Sequence, residues 1–116
     1  MRLRNLSDAQ YQQIESFLNE TIEQAGGKKD KKLRDLRAES YALGYLGKLY
    51  EDRKQWDLAI KTTQKGLLIA QSIPAPDIAY QWQWQLGRIY KPIKAKQVQK
   101  DFQDIKKARE AYGGAF

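Results

Sequence analysis

The sequence predicts an all-α domain of about five helices, and three observations lead there. Apolar residues recur every three or four positions through most of the 116-residue chain. The breakers fall between those segments, at Gly26-Gly27, Pro74, Pro76 and Pro92. The composition, 41% hydrophobic and 11% aromatic beside 30% charged, suits a folded chain with a heavily solvated helical surface rather than disorder.

Each element follows from local signals. Residues 7–25 form the first helix: Ser7 is the N-cap with Gln10 three positions on, Ile14, Leu18, Ile22 and Ala25 share a face, and Gly26-Gly27 ends it. A second helix is expected from about residue 31 to 51, capped by Asp30. It carries Leu33, Leu36, Ala38, Tyr41, Ala42, Tyr45, Leu46, Leu49 and Tyr50. Gly44 and Gly47 lie inside it, and a glycine there costs about 1 kcal/mol against alanine, so another helix is expected to cross closely. The third runs over about 54–71 with Trp56, Ala59, Ile60, Leu67 and Ile69. The fourth restarts at Pro76 and is expected to end near Lys91, because proline disfavours a helical residue before it. A polar linker, 92–103, then leads to a fifth helix within 104–116.

The segment containing Trp82 and Trp84 tests the period. On a strand the two indoles share a face, whereas on a helix they sit roughly 200° apart. Ile78, Trp82, Leu86 and Ile89 recur at helical spacing. Trp82 therefore points inward, with Trp56, Tyr50 and Tyr90 as further core, and Trp84 falls outside among Gln81, Arg88 and Lys91.

Composition narrows the function classes. A chain of 13.5 kDa is one domain. No apolar run approaches the roughly 18 to 20 residues that span a bilayer, and the first ten residues lack the core of a signal peptide, so a cytoplasmic location is expected. With no cysteine and no histidine there is no disulfide, thiol nucleophile or usual zinc ligand. Gly26-Gly27-Lys28 lacks the rest of a phosphate loop, and the carboxylates lie among polar residues on helix surfaces. No enzyme activity, cofactor or metal is expected. The net charge is +7. Its densest run, Lys28, Lys29, Lys31, Lys32, Arg34 and Arg37, suits either phosphate contacts or a solvated helix start.

The chain also repeats itself: LGKLY (46–50) and LGRIY (86–90) lie 40 residues apart. Leu46, Gly47 and Tyr50 followed by Ala59, then Leu86, Gly87 and Tyr90, with Ala108, Tyr112 and Ala115 after a longer linker, resemble the tetratricopeptide repeat. The stretches 37–51 and 76–90 look more specifically like the repeat array preceding the CHAT domain of cyanobacterial proteins, without that domain's His and Cys pair. The resemblance implies a superhelix of antiparallel helix pairs: a half-repeat (7–25), one repeat (31–71) and a second (76–116). It further implies a non-catalytic scaffold whose concave groove binds a protein or acidic peptide. Carried over by position, that groove is Tyr41, Gly44, Lys48, Glu51 and Asp52 with Gln81, Trp84, Arg88 and Lys91. Trp84 either anchors a partner there or packs under Tyr41 or Tyr45 of the neighbouring helix. Two alternatives stand beside this reading: a small basic nucleic-acid-binding protein, and a truncated array that self-associates through its open end, since such arrays usually need about three repeats.

Overall fold

The computed structural model describes residues 5–111. Among them lie four α-helices and no strand: α1 (Asp8–Ala25), α2 (Leu36–Asp52), α3 (Trp56–Ser72) and α4 (Pro76–Ala111), with a 3-10 turn at Lys31–Leu33.

The start of α1 is set by a capping box. The Ser7 hydroxyl accepts from the Gln10 amide at 3.1 Å, and the Gln10 side chain accepts from the Ser7 amide at 3.0 Å. After α1 the chain turns at Gly27, whose φ of +73° suits glycine. Two of the expected helix starts shift. Asp30 caps only the 3-10 turn, through the Lys32 amide at 3.0 Å, whereas α2 begins at Leu36 because Asp35 accepts from the Ala38 amide at 3.0 Å. The third helix begins at Trp56, since Lys54 adopts a left-handed φ of +59° and so belongs to the turn.

The larger correction concerns Pro92. The expected break, the linker 92–103 and a separate fifth helix are replaced by one 36-residue helix that carries Pro92 in its interior. Proline in a helix interior costs about 3 kcal/mol. The residues around it are mostly good helix formers (Lys, Ala, Gln, Arg), and no glycine occurs from Arg88 to Ala111, so each further turn helps to offset that penalty. The expected positions 112–116 of the fifth helix lie outside the described residues.

The helices pack in sequence, α1 on α2, α2 on α3 and α3 on α4, with α4 also touching α2. Leu46 and Leu49 of α2 meet Ile14, Leu18 and Ile22 of α1 in one apolar cluster. Ala70, Ala75, Ile78, Ala79 and Trp82 form a second, with Tyr41 and Leu67 against it. Trp82 is buried, and Trp56, Tyr50 and Tyr90 are half-buried. The close crossings expected at the α2 glycines are present. A Cβ at Gly44 would overlap the Trp82 ring, one at Gly47 would overlap Thr63 Oγ1, and Gly66 of α3 leaves only 3.0 Å to the Ser40 carbonyl. The molecule measures 68 × 35 × 23 Å and has a radius of gyration of 19.2 Å, against about 13 Å for a compact chain of this length. The excess reflects the distal half of α4, whose residues from Lys94 to Ala111 are all exposed.

Candidate functional site

Where α2, α3 and α4 meet, buried polar groups fix the direction of α4. The Trp82 indole N–H donates to Ser40 Oγ at 3.2 Å, and the Ser40 hydroxyl donates to the Gly66 carbonyl at 2.6 Å. The Gln85 amide nitrogen donates to the Gly44 carbonyl at 2.8 Å and to Thr63 Oγ1 at 2.9 Å. Among the described residues no buried side-chain polar atom lacks a partner. Such satisfied networks hold one packing against its alternatives. The rings of Tyr41 and Tyr45 stand edge-on to Trp82, at 6.2 and 5.8 Å between centroids.

With Trp82 inward, Trp84 emerges on the other side of α4, 64% exposed. It does not pack under Tyr41 or Tyr45. Its ring neighbour is Tyr80, also on α4, at 6.3 Å and 65°. Tyr80, Gln83, Trp84, Gly87, Arg88 and Lys91 line a shallow cleft of about 580 Å³ along that helix face. Arg88 is held by a bidentate pair with Glu51 of α2, both contacts at 2.8 Å. Its pKa is raised above the ordinary arginine value, chiefly by the Glu51 hydrogen bond and against the effect of its own burial. Because the arginine is half exposed, the pair contributes at most about 1 kcal/mol, and its larger effect is to fix the edge of the cleft.

Of the expected groove, the structure brings Trp84, Arg88 and Lys91 together. Tyr41, Lys48 and Gln81 lie outside this cleft, and Gly44 is taken up in the contact with Trp82. Tyr80, Gln83 and Gly87 were not among the expected residues. The signal for Tyr80 was its spacing of four from Trp84 on the polar side of the helix.

In the basic run, Lys28 pairs with Glu23 at 3.2 Å, Arg34 with Glu39 at 3.0 Å and Arg37 with Asp77 at 3.2 Å, while Lys29, Lys31 and Lys32 are exposed. A second, mainly apolar cleft of about 460 Å³ lies between α1 and α2, lined by Gln13, Ile14, Phe17, Leu18 and Tyr45. Among the described residues there is no cluster of acidic side chains arranged to hold a metal ion, and no helix is long and apolar enough to cross a membrane. Compared with protein-family models, curated proteins and solved structures, the chain matches none.

Proposed function

We propose that this chain is a non-catalytic protein-interaction module that engages a partner protein or acidic peptide through the outer face of α4. The reading rests on one observation: Trp84 stands 64% exposed beside Tyr80, with Lys91 and the fixed Arg88 at the cleft's edge. An exposed indole next to cations is the kind of anchor that dominates binding once a partner covers it. The net charge of +7 favours an acidic occupant. The tetratricopeptide-like superhelix belongs to the same proposal. Its support is the 40-residue recurrence of LGKLY and LGRIY together with the close α2 to α3 contact at Gly47. Nucleic acid is the weaker reading, because Lys28, Arg34 and Arg37 already hold carboxylates.

Selection from a random peptide display on the immobilised protein tests the proposal. Peptides rich in Asp and Glu are expected, and Trp84→Ala is expected to weaken them by about 2 kcal/mol, or roughly thirty-fold. Peptides that bind Trp84→Ala and Lys91→Glu as well as the parent would contradict it.

A further inference from the structure

The 40-residue repeat allows the two first helices to be compared position by position. Ser40, Leu43, Gly44 and Gly47 of α2 correspond to Tyr80, Gln83, Trp84 and Gly87 of α4. The α2 set is buried, under α3 and Trp82. On α4 all four are exposed, and a Cβ built at Gly87 meets nothing within 4 Å. The face that is covered on α2 is thus bare on α4.

The distal half of α4 cannot serve as the missing cover in the manner of α3. The small residues by which α3 approaches α2, Ala59, Thr63 and Gly66, correspond to Gln99, Gln103 and Lys106. Those side chains would hold two helices apart. Instead, this half carries its own bare stripe: Val98 is 67% exposed, Phe102 57% and Ile105 66%. At about 100° per residue, these three lie on the same side of α4 as Tyr80, Trp84 and Gly87, with Lys91 and Lys94 on that side between the two sets, while Lys96, Lys100 and Lys107 lie opposite. One continuous helix cannot cover its own stripe.

We propose that a second copy of the chain covers it, the two α4 helices pairing antiparallel about a two-fold axis at residues 92–93. In that register Tyr80 falls opposite Ile105, Trp84 opposite Phe102, and Gly87 opposite Val98, each pair made twice. The apolar pairs are self-complementary, which favours a second copy over an unrelated occupant, while Lys91 and Lys94 come opposite one another at the axis and keep their ammonium groups in water through their flexible stems. The area agrees: Tyr80, Trp84, Val98, Phe102 and Ile105 at their observed exposures offer on the order of 700 Å² per chain, near the ~800 Å² that each partner of a stable complex buries. The lysines opposite the stripe remain in solvent. This proposal rests on the reading of the α4 face as a protein-binding surface, and it names as partner a second basic chain, held by apolar contact rather than by the charge that would draw an acidic peptide.

The chain has no cysteine, so single cysteines report cleanly. Gly87→Cys and Val98→Cys proteins are mixed and oxidised, and wild type and Phe102→Asp are weighed by light scattering over a dilution series. Wild type is expected at twice 13.5 kDa, falling toward 13.5 kDa on dilution. The mixed 87 to 98 disulfide is expected to form faster than either homodimer. Phe102→Asp is expected to stay monomeric with unchanged helical circular dichroism. A dimer without preferential 87 to 98 linkage rejects the register. A wild type that is monomeric into the millimolar range rejects the proposal, and two further results would say what covers the stripe. Closure of a Gly87→Cys/Val98→Cys chain on itself at monomer mass would mean that α4 folds back. Sedimentation of the monomer with phosphatidylglycerol vesicles would mean a lipid surface. A monomeric result leaves the peptide selection above as the separate test of the binding face.

Discussion

Gly44 of α2 and Gly87 of α4 are both helix-interior glycines and carry opposite loads. The first lies under the Trp82 ring, whereas the second has open space where a side chain would go. Gly44→Ala is therefore expected to destabilise the fold by about 1–3 kcal/mol through overpacking. Gly87→Ala is expected to stabilise the monomer by up to about 1 kcal/mol through helix propensity. Urea denaturation at a concentration low enough to exclude association measures both, and equal effects would refute the assignment of these faces. Gln85 is a second residue-scale case. Its side chain meets the Gly44 carbonyl and Thr63 in the interior, so Gln85→Ala is expected to cost about 1–3 kcal/mol by leaving buried groups without partners. Its place between Trp82 and Ile89 on the inner face was readable from spacing alone. Its amide chemistry disguised it, because glutamine usually marks a solvated face. The close approach at Gly44 and Gly47 was legible because glycine in a helix interior carries a cost that packing has to offset.

Among the elements, α1 and α2 are joined at their ends by polar groups as well as by leucines. Arg53 lies 4.2 Å from the centre of the Tyr11 ring and pairs with Asp8 at 2.8 Å. Nearby, the Tyr50 pKa is pushed up to about 12 by burial first, then by the charge of Glu15 and a hydrogen bond to it. A tyrosine whose folded pKa lies above its unfolded value of about 10 holds more protons when folded. Its contribution to stability is thus complete below pH 10 and lost as the pH rises from about 10 to 12. The denaturation midpoint of wild type should fall more steeply over that window than that of Tyr50→Phe, and parallel slopes would remove Tyr50 from the α1 to α2 contact. Element boundaries were less legible than element existence. Asp30 and Asp35 are both acceptable caps, and only the geometry of the following residues decides between them. Pro92 read as a stop because the rule for the residue before proline is local, whereas continuation depends on many helix-forming residues beyond it. Pro92→Ala should accordingly raise helical ellipticity little while increasing stability, and a large gain in helix would mean that α4 is broken there in solution.

For the whole molecule, the sequence disclosed the interior far better than the exterior. Core positions are repeated at every turn, so the period reveals them. The α4 stripe is single, and its residues were divided as long as α4 was expected to end near Lys91: Tyr80 and Trp84 in that helix, Val98 and Phe102 in the linker, and Ile105 in a further helix. Once α4 is one helix, they become a continuous surface, and the 68 Å length of the molecule follows from the same fact. The proposed pairing of α4 requires that a second copy cover this surface. Acrylamide quenching of tryptophan fluorescence over a protein dilution series tests that directly, because Trp84 is the exposed indole, with Trp82 buried and Trp56 half-buried. Quenching that weakens as the protein concentration rises, and does so for wild type but not for Trp84→Phe, is the predicted result. Quenching of Trp84 that stays strong and constant at every concentration would contradict it.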